Sequence, residues 1–214
     1  MRMRKKHWTE QELQTNPYII KQATEKKGNW SAYFENDNDI YVEIGCGKGN
    51  FIIENAKRYT NINFIALERQ ASVIAVAARK VENLPNLALV CDNAALLSDL
   101  FEKGEIKRIY LNFSDPWPKK GHAKRRLTHR TFLQSYRDVL GEKGEVFFKT
   151  DNKQLFEFSL NEFCADKWEL SHVCFDLHNS EYAEQNIMTE YEQKFSEKGM
   201  SIYRLEARYN NMKI

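Results

Sequence analysis

Residues 42–51 read Val42-Glu43-Ile44-Gly45-Cys46-Gly47-Lys48-Gly49-Asn50-Phe51. An apolar, partly β-branched run passes into three glycines at every second position and then into a segment with apolar residues three or four apart. A strand should therefore turn sharply into a helix. Glycines let the backbone turn tightly and approach a ligand, and the helix start offers free N–H groups. The spacing is G-x-G-x-G, and Asn50 stands where the dinucleotide fingerprint G-x-G-x-x-G needs a small residue. That counts against an NAD or FAD site. Glu43, two residues before the first glycine, points the same way: an acid facing the loop repels a pyrophosphate and suits a cationic or hydroxylated ligand. The alternative for Glu43 is a structural pairing with Lys48 or an arginine.

Outward from this stretch, apolar runs alternate with helical patterns. The runs are Ile40–Ile44, Asn63–Leu67, Leu87–Cys91, Arg108–Phe113 and Glu145–Thr150; the helical patterns are Phe51–Tyr59, Ala71–Asn83, Ala94–Phe101 and Thr131–Leu140. Thr128 is the expected start of the last of these helices and Gly141 its stop. Strands alternating with helices of this length predict right-handed βαβ units and a parallel sheet covered on both faces. A helix (Gln154–Asp166), a strand (Trp168–Phe175) and a final strand (Ser201–Tyr209) follow, which brings the expectation to an α/β fold with one seven-stranded, mostly parallel sheet. Residues 1–38 show no strand alternation and predict a basic arm and a helix around Pro17–Lys27 packed on the core, with 39–214 as the main domain and no linker between them.

Acids stand at the expected C-terminal ends of successive strands, where open α/β sheets bind ligands. Glu68 ends the second strand about 20 residues after the glycines, as for an acid gripping ribose hydroxyls. Asp92 ends the third, followed by Asn93, in position to meet an adenine amino group or simply to cap the next helix. With Glu43, Gly45 and Gly47 they suit S-adenosylmethionine, which carries an ammonium, a sulfonium and a ribose but no phosphate. The fourth strand runs into Ser114-Asp115-Pro116-Trp117-Pro118-Lys119-Lys120. Two prolines fix the backbone and hold Asp115 at the sheet edge; Trp117 offers a face for stacking a base, worth roughly 1–3 kcal/mol. Asp151 ends the fifth strand on the same rim. Met188–Phe195 reads as a polar, aromatic-bearing loop or a short helix.

The chain has 214 residues, with 32 Lys+Arg against 30 Asp+Glu. The net +2 conceals an uneven spread. Arg2, Arg4, Lys5 and Lys6 form one acid-free cluster, and Lys119, Lys120, Lys124, Arg125, Arg126 and Arg130 another; without these ten cations the rest holds 22 basic and 30 acidic residues, a charge of −8. Such concentration suits a polyanionic partner. Hydrophobic residues make up 42%, enough for a core. Apolar stretches of five or six residues are too short for a membrane span, and the basic N-terminus precedes polar residues, unlike a signal peptide. Four cysteines without a CxxC pair fit neither a zinc site nor a disulfide framework, so the expectation is free thiols in the cytoplasm and no metal.

In this order, VEIGCGKGNF (42–51), NFSDPWPKKGHAKRRL (112–127), KTDN (149–152) and TEYEQKF (189–195), with the basic MRMRKK at the N-terminus, resemble the bacterial tRNA (guanine-N7-)-methyltransferase family, close to its Gram-positive members. The resemblance implies a Rossmann-like class I methyltransferase fold, S-adenosylmethionine as methyl donor, and methylation of N7 of a guanine in the tRNA variable loop by a monomer or homodimer. It implies cofactor contacts at Glu43, Glu68, Asp92 and Asp115, with Asp115 also catalytic. Substrate contacts are implied at Lys119, Asp151, Thr189, Glu190, Tyr191 and Glu192, and an RNA-interacting segment at Gly121, His122, Ala123, Lys124, Arg125 and Arg126. Gly121 departs from the arginine that members often carry. The competing enzyme reading is a methyltransferase for rRNA, protein or a small molecule. Amino-group methyltransferases, however, place adjacent prolines after this strand where Ser-Asp-Pro-Trp-Pro stands here. A non-catalytic RNA-binding module is disfavoured by the intact glycine loop and its three acids.

Overall fold

The five apolar runs form the centre of one sheet in the computed structural model, which describes residues 7–209; the cluster at Arg2, Arg4, Lys5 and Lys6 lies outside the described residues. These strands are β2 (Ile40–Ile44), β3 (Asn63–Leu67), β4 (Leu87–Val90), β5 (Ile106–Asn112) and β6 (Leu140–Thr150), all parallel. On the far side of β6 lies β8 (Tyr203–Tyr209), antiparallel to β6, and beyond it β7 (Trp168–Cys174). The sheet has eight strands where seven were expected, because Ile19 and Ile20 pair in parallel with Leu89 and Val90 of β4 as a two-residue edge strand, β1. The order is β1-β4-β3-β2-β5-β6-β8-β7. The chain winds outward one way from β2 and the other way from β5, so these neighbours flank the topological switch point, where a ligand crevice opens.

Side-chain alternation explains why the central strands are apolar on both faces. Val42, Ile44, Ile65, Leu67, Ala88 and Val90 join a core with residues of α5 (Leu97–Leu100), α6 (Arg130–Val139) and α7 (Lys153–Ala165). Phe64, Ala66, Leu87 and Leu89 join a second core with α3 (Asn50–Arg58) and α4 (Ala71–Ala78). The one charged side chain in β2, Glu43, sits at the edge of this apolar body, and its position matters below.

The N-terminal segment differs from expectation in detail. Residues 17–27 hold β1 and a 3-10 turn over Ala23–Lys26 in place of a helix, while α1 (Thr9–Thr15) and α2 (Trp30–Phe34) flank them. Trp30 is fully buried, donates from Nε1 to the Leu100 carbonyl at 3.0 Å and packs on Phe101. Thr128 is not the start of α6: it is buried and accepts from the Ser159 hydroxyl at 2.7 Å, leaving His129 to cap by accepting from the Thr131 N–H. Gly141 does not stop the helix either, because β6 already begins at Leu140. Four cysteines are free thiols, and no described helix is long and apolar enough to cross a membrane.

Candidate active site

The loop after β2 is held against the end of β3. The Gly45 and Cys46 N–H groups both donate to the Leu67 carbonyl, at 2.7 and 3.2 Å, which folds the chain back over the sheet. Gly45 and Gly47 adopt φ of +77° and +57°, and a Cβ at either would meet nothing within 4 Å. The backbone there faces open space, as close approach to a ligand requires. Gly49 differs: a Cβ would meet the Ala77 Cβ at 2.8 Å, so this glycine lets α3 close onto α4.

Four of the five acids expected on this rim line two chambers, and Asp151 lines neither. Glu68, Asp92, Asn93 and Asp115 line a cavity of about 720 Å³ together with Ile44, Gly45 and Trp117. Glu43 lines an adjoining cavity of about 310 Å³ with Gly47, Asn112, Thr189, Glu190 and Tyr191; Gly45 and Phe113 line both. The Glu68 carboxylate accepts from the Gly47 N–H at 3.2 Å and the Gln70 N–H at 2.8 Å, bracing the loop. Asn93, rather than Asp92, makes the cap, accepting from the Ala95 N–H, so Asp92 makes no helix cap and faces the cavity.

Glu43 is 2% exposed. Its Oε1 accepts from the Asn112 amide at 2.9 Å across the switch point, while Oε2 is buried without a partner. The alternative pairing with Lys48 does not occur: Lys48 and Lys80 both clasp Glu190, at 3.3 and 2.9 Å. Burial pushes the Glu43 carboxyl up to about 7 against the pull of Asn112 and Lys149, with Glu68 adding repulsion. The glycine-lined chamber is thus bordered by a carboxyl with one oxygen unpaired within the described residues.

The Ser114–Pro118 loop is strained. Phe113 (φ +52°) and Trp117 (φ +41°) both occupy the left-handed region that side chains disfavour. Two clamps hold them there. The Phe113 N–H donates to the Lys149 carbonyl at 2.9 Å, and the Arg126 guanidinium donates to the Pro116 and Trp117 carbonyls, each at 3.0 Å. Arg126, expected to hold phosphate, thus spends its donors inside the loop and stacks on Phe158. The Trp117 ring carries the Arg125 guanidinium at 4.9 Å and the edge of His122 at 5.7 Å. Asp115 is exposed on the cavity wall, and Lys119, Lys120, Gly121, Lys124 and Arg125 are exposed around a 3-10 turn over Lys120–Arg125; Ala123 is half-buried. A side chain at position 121 would meet nothing within 4 Å.

The segment read as a loop or short helix is the helix α8 (Glu190–Ser196), started by a capping box between Thr189 and Glu192. Tyr191 is exposed and packs on Phe113 and Phe195. Burial, and then the Asp151 carboxylate, push its hydroxyl up. Glu192 departs from the expected substrate contact. It is fully buried, with Oε2 accepting from Lys149 at 2.8 Å and Oε1 from the Asn186 amide at 2.6 Å. Asn112 and Lys149 each open a quoted motif, NFSDPWPKKGHAKRRL and KTDN, without a role assigned to them there, and Lys80 lies outside the motifs. The signal for the first two is a polar residue within an otherwise apolar strand, which needs a buried partner.

The arrangement provides a nucleoside-sized chamber with acids for hydroxyl and amino groups, a second chamber with an unpaired carboxylate, and a basic flank. Comparison with known proteins agrees. A family model described as "Putative methyltransferase" matches residues 37–205. The chain is 51% identical to a tRNA (guanine-N(7)-)-methyltransferase of Brevibacillus brevis over 97% of this chain and 98% of that protein. It is 53% identical to one of Listeria monocytogenes, over 98% and 99%. Among solved structures, the 16S rRNA methyltransferase KamB superposes with a TM-score of 0.65 at 12% identity, covering 86% of this chain and 93% of that one; a likeness at that identity speaks for the shared fold alone. Identity above half along nearly the full length, on a methyltransferase sheet whose switch point opens into this crevice, places the chain in the tRNA (guanine-N7-)-methyltransferase family.

Proposed function

We infer that this chain transfers a methyl group from S-adenosylmethionine to N7 of a guanine in the variable loop of tRNA, acting in the cytoplasm as a monomer or homodimer. The observation that carries this reading is the adjacency of the acid-lined crevice to the exposed cations at Lys119–Arg125. When bound, S-adenosylmethionine supplies an electrophilic methyl on a sulfonium. We assign its nucleoside to Glu68, Asp92 and Asn93, and its cationic amino acid end to Glu43 and the Gly45–Gly47 backbone.

Guanine N7 has a free lone pair, so no side chain needs to remove a proton before it reacts, and the methylated purine is cationic. The chain's contribution is orientation and charge. Asp115 and Asp151 supply carboxylates that accept from the N1–H and N2–H₂ edge or offset the charge that develops. Thr189, Glu190 and Tyr191 border the pocket from α8. Lys119, Lys120, Lys124 and Arg125 hold phosphates.

Borohydride reduction and aniline cleavage cut RNA at 7-methylguanosine. Applied to an unmodified tRNA after incubation with enzyme and S-adenosylmethionine, they should give one new cut, in the variable loop. A cut elsewhere would refute the position.

The Glu43 carboxyl also implies a pH dependence. Below about 7 it is protonated in the free protein, and a cation beside it favours the ionised form. S-adenosylmethionine affinity should rise up to ~10-fold between about pH 6 and about pH 8, as the ionised fraction grows. In Glu43→Gln the affinity should be lower and nearly flat with pH, as titration calorimetry would show. A wild-type affinity that falls across this range would remove Glu43 from the cation's seat.

A further inference from the structure

Beneath α8 lies a buried charged cluster centred on Lys149, a residue of the KTDN motif to which the resemblance assigns no role. The Lys149 side chain, at 7% exposure, donates to Glu192 Oε2 at 2.8 Å, to Asn186 Oδ1 at 2.9 Å and to the Ile187 carbonyl at 3.0 Å. All three of its donors are thus spent on the segment that leads into and starts α8. Glu192 in turn is wholly buried, lies 3.2 Å from His178 Nε2 and closes the capping box through the Thr189 N–H.

The same lysine reaches the cofactor side through its backbone and its neighbours. It pairs in register with Asn112, whose amide holds Glu43, and its carbonyl holds the strained Phe113. Its ammonium sits 5.0 Å from the centre of the Phe51 ring, which lines the Glu43 chamber. One residue therefore ties three things together: the floor of the cation seat, the strained entry to the Asp115 loop, and the cap that carries Thr189, Glu190 and Tyr191.

We propose that Lys149 is a positioning residue for methyl transfer, acting through Glu192 to hold α8 over the Glu43 chamber in the register that lets Tyr191 and Asp151 meet the target base. This rests on the tRNA methyl-transfer reading above. Glu192 takes part from beneath the cap, not as a substrate contact. The outer clasp of Lys48 and Lys80 on Glu190 is half-exposed and screened by solvent, so the inner pair sets the position of the helix.

Removing one partner of a buried ion pair strands the other charge, whereas neutralising both leaves no such penalty. The informative variant is therefore the double replacement Lys149→Met with Glu192→Gln. It should keep the wild-type circular dichroism spectrum, while kcat on tRNA at saturating S-adenosylmethionine falls at least ~10-fold. Amides of 186–196 should exchange hydrogen faster, with those of 40–44 and 106–112 unchanged. If the double variant does not fold, Lys149→Gln with Glu192→Gln, which keeps hydrogen-bonding capacity at both positions and strands no charge, is read the same way. A folded variant with kcat and KM for tRNA both within ~2-fold of wild type, or with unchanged exchange over 186–196, would overturn the proposal. A wild-type enzyme that methylates no tRNA would instead refute the reading on which it rests, and the exchange result would still report on the cap.

Discussion

Asp115→Ala should lower kcat for methyl transfer at least ~100-fold, about 2.7 kcal/mol of transition-state stabilisation, while tRNA affinity stays within ~3-fold. Asp115 lies on the wall of the larger chamber, on a loop whose backbone is held in disfavoured conformations at Phe113 and Trp117. A loop that only connected β5 to α6 would not need two left-handed residues clamped by Arg126 and Lys149. The clamps fix the backbone on either side of Asp115, and a carboxylate carried beside a base that becomes cationic acts mainly in the transition state. Single-turnover rates under saturating tRNA and S-adenosylmethionine would separate this from binding. Equal losses of rate and tRNA affinity would make Asp115 a binding residue only.

Reversing Lys119, Lys120 and Lys124 to glutamate should weaken tRNA binding at least ~100-fold and flatten its salt dependence, since each lost phosphate contact removes roughly 0.7–0.9 from the log–log slope. These three side chains are exposed, carry no ion pair with the described residues, and surround a 3-10 turn. S-adenosylmethionine affinity should change far less than tRNA affinity, because Lys119 and Lys120 line neither chamber and only Lys124 reaches the wall of the larger one. Arg126 is left out of this set on purpose: replacing it would free the Pro116 and Trp117 carbonyls and disturb the Asp115 loop, confusing an electrostatic loss with a structural one. An unchanged salt slope in the triple variant would put the RNA on another face.

The central strands were legible because parallel strands buried on both faces appear as continuous apolar runs, and four of the five coincide with expected segments to within two residues at their ends, while β6 begins five residues before its expected start at Glu145. β1 was not, because two residues carry no periodicity; Ile19 and Ile20 form a strand only because β4 presents an unpaired edge. Helix ends slipped for a related reason. Thr128 has the chemistry of a cap, but tertiary packing gives its hydroxyl to Ser159, and His129 takes over.

In the site, the glycine spacing and the acids Glu43, Glu68, Asp92 and Asp115 point to the two chambers, since those features depend on local order along the chain. What could not be read were partners from distant segments. Lys48 turns to Glu190, a residue 142 positions along, instead of Glu43. Arg126 looks like its basic neighbours yet faces inward, and Glu192 shares a motif with the exposed Tyr191 yet lies one helical position away, on the buried side. Periodicity assigns faces only once the helix boundaries and the surface they pack on are known.

The most direct measurement is the identity of the modified nucleoside. An unmodified tRNA transcript incubated with the protein and methyl-labelled S-adenosylmethionine, then digested to nucleosides and separated by liquid chromatography with mass detection, should carry its label in 7-methylguanosine alone. Label in any other nucleoside, or none in the presence of folded protein that binds S-adenosylmethionine, would contradict methyl transfer to guanine N7.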